Sequence, residues 1–232
     1  MQIALIGYGD MGKLIERLSI ETGHKIGVIV DDSDANSFAG EVAQKLKGCD
    51  VAIEFTVGMA VRRNVEACVK ARVPVVVGTT GWNEDRGLIE NIVRNGQGAM
   101  IFGANFSIGV NLFYKIADYA AELFAKFPEY EAFIEEQHHS RKKDAPSGTA
   151  LKLKELTEKH IKIGEIAATR AGNIPGTHRL GFDSAADQIL LEQAARNREG
   201  FALGAITAAE WIIGKAGFFE FTDVLDEITG LN

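Results

Sequence analysis

Gln2-Ile3-Ala4-Leu5-Ile6-Gly7-Tyr8-Gly9-Asp10-Met11-Gly12 opens the chain with a short apolar run that breaks into a glycine-rich turn. Leu14, Ile15 and Leu18 then recur at helical spacing until Gly23 ends the pattern. Strand, turn and helix are the setting in which Gly-x-Gly-x-x-Gly has a mechanical meaning. Gly7 permits the tight turn, Gly9 lets a pyrophosphate approach the backbone, and Gly12 lets the helix pack close to the strand. A dinucleotide site is expected across Gly7 to Gly12, with Asp10 and Met11 included. Asp10 is a mild inconsistency, because its side chain must point away from the pyrophosphate.

Working outward, the apolar run Ile26 to Val30 ends in Asp31-Asp32, about 20 residues after the glycines, where a carboxylate can accept the adenosine ribose hydroxyls. Asp31 is favoured because it directly follows the strand. A second acid at Asp32 repels a 2′-phosphate, which favours NADH over NADPH; a solvated acidic loop is the plainer alternative. Val51 to Phe55, a helix around Arg62 to Ala71, Val73 to Val77, a helix from about Glu84 to Arg94 and Ala99 to Gly103 continue the alternation. Alternation implies a parallel sheet with helices on both faces. Loops at strand C-termini of such sheets bind ligands. Phe55-Thr56, Gly78-Thr79-Thr80 and Ala104-Asn105-Phe106 are therefore expected to line one crevice with the glycine turn.

From Gly109 the pattern changes. Leu112, Ile116, Tyr119, Leu123 and Phe124 mark a long amphipathic helix closed by Pro128, and Tyr130 to Gln137 reads as a strand. It leads into His138-His139-Ser140-Arg141-Lys142-Lys143-Asp144-Ala145-Pro146-Ser147-Gly148-Thr149-Ala150, followed by a helix from about Thr149 to His160. Five of the six residues from His138 to Lys143 can carry positive charge in a chain of formal charge −7, which suggests an anion site. Free N–H groups at a helix start favour anions, and histidines exchange protons near neutral pH. A solvated basic loop before a capped helix is the plainer alternative. Ile166 to Arg170, Thr177 to Phe182 and Gln188 to Glu192 read as strands of a mixed or largely antiparallel sheet. Phe201 to Lys215 returns to helical spacing, and the apolar residues of Phe218 to Leu231 need a core that the first domain can supply.

The expected fold is thus α/β: a Rossmann-like dinucleotide-binding domain over 1–107 and 205–232, and a smaller α+β domain with a mixed sheet over 108–204, which carries the expected anion site. An apolar fraction of 46% in 232 residues befits a globular protein with a real core. The acidic balance argues against nucleic acid or an anionic membrane as the main partner. Met1 leads straight into an apolar run without a basic start, and no segment approaches bilayer length, so a cytoplasmic protein is expected. Cys49 and Cys68 sit in no ligand spacing, and no metal is expected.

The sequence resembles the dihydrodipicolinate reductase family. Glu136 to Ala150 match the family's Glu-x-His-His-x-x-Lys-x-Asp-x-Pro-Ser-Gly-Thr-Ala stretch at every fixed position. Gly7 to Gly12 with Met11, Phe55-Thr56, Gly78 to Gly81, Asn105 to Asn111, Gly176-Thr177-His178 and Phe201 to Ala205 follow in the family's order. Asp10 replaces a frequent basic residue, Lys13 a common arginine, and Gln193 stands where a histidine is frequent, which puts cofactor choice and local packing in question more than the reaction.

The resemblance implies NAD(P)H-dependent reduction of a cyclic dicarboxylate in diaminopimelate and lysine biosynthesis, with loss of water, by a homotetramer. It implies His138 as the general acid, with Lys142 steering protonation and, with His139, binding substrate. Ser147, Gly148 and Thr149 hold a carboxylate, and the nicotinamide lies against Gly78 to Thr80 and Ala104 to Phe106. Arg141 and Lys143 are expected to be solvated and His178 structural. Another NAD(P)-dependent amino-acid dehydrogenase, or a dinucleotide-sensing regulator without turnover, explains the first half of the chain equally well. Neither gives a reason for the His138 loop.

Overall fold

The computed structural model describes residues 1–230, except for the side chain of Asp32. Leu231, expected to close the last apolar segment, and the Asp32 carboxylate lie outside the described residues. The chain divides into two compact units, Met1–Ile108 with Glu199–Asn232, and Gly109–Arg198. The expected return at 205 falls inside a helix that begins at Glu199, so the helix enters the first unit as one continuous piece.

The first unit begins with β1 (Gln2–Ile6), α1 (Asp10–Glu21), β2 (Lys25–Val30), α2 (Ala39–Leu46), β3 (Val51–Glu54), α3 (Gly58–Ala71), β4 (Val75–Val77), α4 (Arg86–Asn95) and β5 (Ala99–Phe102). The second contains α5 (Ile108–Phe124, from its second residue), β6 (Glu131–His138), α6 (Gly148–Thr157), β7 (Ala167–Arg170), β8 (Thr177–Asp183) and β9 (Gln188–Ala194). The chain ends with α7 (Glu199–Ile212), β10 (Gly217–Glu220) and α8 (Phe221–Thr229), all in the first unit.

The six strands of the first unit are all parallel, in the order β10-β5-β4-β3-β1-β2. Alternate residues of each central strand go to opposite faces. Ile3, Leu5, Val51, Ile53, Val76 and Ile101 pack into the core formed with α1, α7 and α8. Ala4, Ile6, Ala52, Val75, Val77 and Met100 pack into the core formed with α2, α3 and α4. Burial on both faces is why these strands read as unbroken apolar runs. β4 starts at Val75 rather than Val73 because the Val73 N–H closes the end of α3 on Cys68 O at 3.0 Å, and Pro74 has no N–H to give. The last segment contributes an unanticipated sixth strand, β10, paired with β5, while Phe219, Phe221, Val224 and Leu225 join the core beside α1 and α7.

In the second unit the sheet order is β7-β6-β8-β9, with β6 parallel to β7 and antiparallel to β8, and β8 antiparallel to β9. Its core sets Phe113, Ala117 and Ala121 of α5 and Ala150 and Leu153 of α6 against Ala132, Ile134, Leu180 and Phe182. This corrects the expected face of α5: Ile116, Tyr119 and Leu123 are exposed, and the sheet is met by the stripe carrying two alanines, whose small side chains permit close approach. Phe182 is fully buried and stacked on Phe124 at 4.2 Å between centroids. Truncating a ring buried in this way costs about 3–5 kcal/mol.

Candidate active site

Parallel pairing puts the C-terminal ends of the strands at one edge: Ile6 lies opposite both Val30 and Glu54, Glu54 opposite Val77, and Val77 opposite Phe102. The turns after these strands therefore leave from the same edge of the first unit. Gly7 has φ +93°, and a Cβ there would stand 2.1 Å from Phe55 O, so only glycine makes this turn. A Cβ on Gly12 would stand 2.3 Å from Gly7 O, which is how α1 packs onto the turn. At Gly9, which caps α1, a Cβ would meet nothing within 4 Å. That open, exposed N-terminus leaves room in which helix-start N–H groups could hold a pyrophosphate. Asp10 is the first residue of α1 and exposed, with Met11 half-buried beside it. The Asp31 carboxylate accepts the Tyr8 N–H at 3.1 Å and so stands at this turn.

Beside the turns lies a polar cluster in which Glu54 and Asn64, not named from the sequence, join Thr56 and Thr79. Glu54, fully buried, accepts the Thr56 hydroxyl and, at 3.1 Å, the Asn64 amide. Burial pushes its carboxyl up, against the opposing effect of the Thr56, Thr79 and Asn64 hydrogen bonds. The Thr56 N–H donates to the Thr79 hydroxyl at 2.6 Å, and Trp82 Nε1 donates to Thr79 O at 2.7 Å. Phe55 fills the space that a side chain at Gly78 would need and meets Phe106 edge-on at 6.3 Å. Thr80 and Ala104 are exposed, and Asn105 Oδ1 accepts the Ser107 N–H at 2.8 Å. Arg63, next to Asn64 on α3, donates to Asp34 O at 2.9 Å and Ala35 O at 2.6 Å, tying the loop after β2 to the same helix.

In the second unit the buried face of β6 carries Ala132, Ile134, Glu136 and His138, since alternate residues share a face. The apolar stripe thus ends in a carboxylate and an imidazole. Glu136 also lies opposite His178 on β8, and His178 opposite Gln193 on β9. Glu136 Oε1 accepts Arg170 Nη2 at 2.6 Å and the Ser147 N–H at 3.1 Å, while Oε2 meets His138 Nδ1. Arg170 Nη2 also donates to Asp144 O at 2.6 Å. The Ser147 hydroxyl accepts the Ala150 N–H at 3.2 Å as the cap of α6 and lies 3.2 Å from His178 Nε2. Ser147 is therefore buried and committed on both its N–H and its hydroxyl, whereas helix geometry leaves the N–H groups of Gly148 and Thr149 without intrahelical partners. Gly148 is exposed and Thr149 half-buried.

Lys142 is half-buried and paired with Asp144 at 2.9 Å. His139 is half-buried, Lys143 is exposed, and the exposed Arg141 bonds Asn173 at 3.0 Å. Burial would push the Glu136 carboxyl up, but the Arg170 bond, the Ser147 N–H and the nearby positive charges outweigh it and hold it below the usual range. Burial lowers His138; Glu136 raises it, and Lys142 and Arg170 lower it further. Burial and the neighbouring His138 bring His178 down to about 4, so it is neutral at pH 7. Glu136, His138 and His178 bring one potential donor atom each within 4.8 Å of one another. Arg170 and Lys142 add positive charge to this group, which disfavours a dication there.

Sequence reading named His138, His139, Lys142, Ser147, Gly148 and Thr149 in one loop, and the structure keeps them in the second unit with Glu136, Arg170 and His178 added. Glu136 was legible in principle, because Glu-x-His on a strand puts both side chains on one face. Arg170 and His178 come from other strands, and only sheet register brings them in.

Two family models match, dihydrodipicolinate reductase N-terminus over residues 1–106 and dihydrodipicolinate reductase C-terminus over residues 109–225. The 4-hydroxy-tetrahydrodipicolinate reductase of Christiangramia forsetii is 38% identical, the match covering 98% of this chain and 99% of that protein. That of Archaeoglobus fulgidus is 34% identical, covering 97% of this chain and 100% of that protein. Among solved structures, dipicolinate-bound dihydrodipicolinate reductase from Paenisporosarcina sp. TG-14 has the same fold, with a TM-score of 0.78 at 22% identity over 97% of this chain and 99% of that one. With both halves of the family pattern present in order and relatives matched over nearly their whole length, the chain belongs to the dihydrodipicolinate reductase family.

Proposed function

We propose that this protein reduces 4-hydroxy-tetrahydrodipicolinate, with loss of water, to tetrahydrodipicolinate. It is an NAD(P)H-dependent oxidoreductase of the diaminopimelate and lysine route, and its substrate is a cyclic dicarboxylate. The observation that carries the chemistry is His138, buried at the end of the β6 stripe, in ion-pair contact with Glu136 and set among the cations Lys142 and Arg170. A group that gives a proton to carbon needs such a fixed imidazole, and a dicarboxylate needs such cations.

The first unit suits a dinucleotide: Gly9 leaves open space at the start of α1, and Gly7 and Gly12 allow the close packing around it. Gly7 to Gly12, with Met11, would hold the pyrophosphate, and Asp31 the adenosine ribose. The nicotinamide would lie against Phe55, Gly78 to Thr80 and Ala104 to Phe106. When bound, the reduced cofactor supplies the hydride. Asp31 at the glycine turn supports NADH as the favoured form, since a carboxylate there accepts ribose hydroxyls and repels a 2′-phosphate.

In the second unit, Gly148 and Thr149 N–H groups at the start of α6 bind one carboxylate of the substrate, and Ser147 acts by capping that helix start. Lys142 and His139 complete the binding, and Lys142 helps direct the proton. His138 protonates the ring carbon next to the one that is reduced. The homotetramer and the cytoplasmic location remain part of this reading, as do the absence of nucleic-acid and membrane partners; no helix among the described residues is long and apolar enough to cross a membrane.

The test is spectrophotometric. Purified protein is expected to oxidise NADH, and NADPH less efficiently, when the cyclic condensation product of pyruvate and aspartate semialdehyde is supplied. Failure of both cofactors to react with that substrate would overturn the assignment.

A further inference from the structure

We infer that Glu136 is the positioning residue for the proton donor: its carboxylate holds the Nδ1 proton of His138, so that Nε2 alone exchanges a proton with the substrate. This rests on His138 being the general acid proposed above.

Four observations support it. The two side chains lie two residues apart on the buried face of β6, with Oε2 against Nδ1. The other oxygen of Glu136 is already taken by Arg170 at 2.6 Å and the Ser147 N–H at 3.1 Å, so the carboxylate is fixed in orientation and only Oε2 faces the ring. His138 Nε2 lies beside Gly176, whose φ of +148° excludes other residues and whose Cβ would stand 3.1 Å from that nitrogen; Gly176 thus keeps space next to Nε2. Finally, His178 stacks edge-on against His138 at 5.1 Å, but its own Nε2 is engaged with the Ser147 hydroxyl.

The charged and titratable groups around His138 are Glu136 on its own strand, Arg170 on β7, Lys142 in the following loop and the neutral His178 on β8. Glu136 is the anion that meets the His138 ring, while Asp144 pairs with Lys142, and Glu136 favours the imidazolium against the effect of burial and of both cations. In the proton-transfer step the Nε2–H bond breaks and its electron pair stays on Nε2. The enamine-type π pair of the substrate forms the new C–H bond while the nitrogen lone pair of the enamine forms C=N, and His138 becomes neutral with its remaining proton on Nδ1, donated to the Glu136 carboxylate. A neutral histidine in the other tautomer has no lone pair on Nε2 and cannot be recharged there; the bond made by one ring nitrogen fixes which proton the other carries.

The deciding experiment is long-range ¹H–¹⁵N NMR of ¹⁵N-histidine-labelled protein from about pH 5 to about pH 9, with His138 identified by signal loss in His138→Asn. Neutral His138 in the wild type is expected in the Nδ1–H form. Glu136→Gln is expected to lower kcat roughly tenfold or more, and to move the fall of kcat with rising pH to lower pH in step with the His138 titration. KM for NADH should stay unchanged, and Glu136→Asp, which keeps the charge, should keep the wild-type pH limb. A wild-type Nε2–H tautomer, or a Glu136→Gln profile that does not move, would overturn the proposal. The wild-type spectrum requires no variant to fold. It also decides the question independently of turnover, whereas absent turnover would strike only at the reductase assignment.

Discussion

The Asp31 carboxylate accepts the Tyr8 N–H at 3.1 Å, which bonds the acid after β2 to the glycine turn after β1. One hydrogen bond thus ties this exposed side chain to the backbone of the turn. Asp31→Ala is expected to raise KM for NADH roughly tenfold, the scale of one charge-assisted hydrogen bond, with a smaller rise for NADPH. Steady-state kinetics with both cofactors checks this, and equal effects on the two would make Asp31 a solvated charge.

Glu54 is buried with no ion pair among the described residues, and burial pushes its carboxyl up from its ordinary value, which favours the neutral acid in the cluster under the Phe55 and Thr79 turns. An amide of the same shape meets the same hydroxyl and amide partners. Glu54→Gln is thus expected to keep stability within about 1 kcal/mol, whereas Glu54→Ala, which strands the Asn64 amide and leaves a cavity, is expected to cost about 2–4 kcal/mol. Urea unfolding of both variants separates the cases. A large loss in Glu54→Gln would mean that the group is ionised.

How much of this was legible in sequence depends on the range over which each interaction acts. The glycine turn and the β-α alternation are local, and periodicity finds them. The final β10 escaped because four residues, Gly217 to Glu220, carry too little pattern and gain their identity only by pairing with β5. On α5 the larger apolar residues Ile116, Tyr119 and Leu123 mark the face that the structure exposes, while the small Ala117 and Ala121 make the contact, so residue size alone does not report burial. The His138 loop was found by its charge. Arg170, more than 30 positions further on, enters through sheet register and has no local signature; His178 stands in the Gly176-Thr177-His178 block, but its place beside Glu136 also comes from register.

For His138 the expected loss falls on kcat. Replacing it by alanine removes the proposed proton donor but none of the dinucleotide turns, so kcat is expected to drop roughly 10²-fold or more with little change in KM for NADH. Stopped-flow NADH binding alongside steady-state rates provides the check. A variant with unchanged kcat would transfer the acid role to another group, Lys142 being the next candidate.

His178 ties stability to pH. It is buried and held neutral, with a native value of about 4 against an ordinary value of 6.5. Between these pH values the unfolded chain binds a proton that the native protein refuses, so stability is full above about pH 6.5 and is lost as the pH falls toward 4. At about 1.4 kcal/mol per pKa unit, this one residue removes roughly 3 kcal/mol across that window. His138, also lowered, acts in the same direction, while the depressed Glu136 carboxyl adds its loss at still lower pH. Urea midpoints measured from pH 7 to about pH 4 should fall steeply in the wild type. His178→Gln, which keeps a hydrogen-bonding side chain opposite Gln193 but cannot titrate, should flatten the slope by about half or more. An equally steep fall in that variant would assign the acid sensitivity to the carboxylates instead.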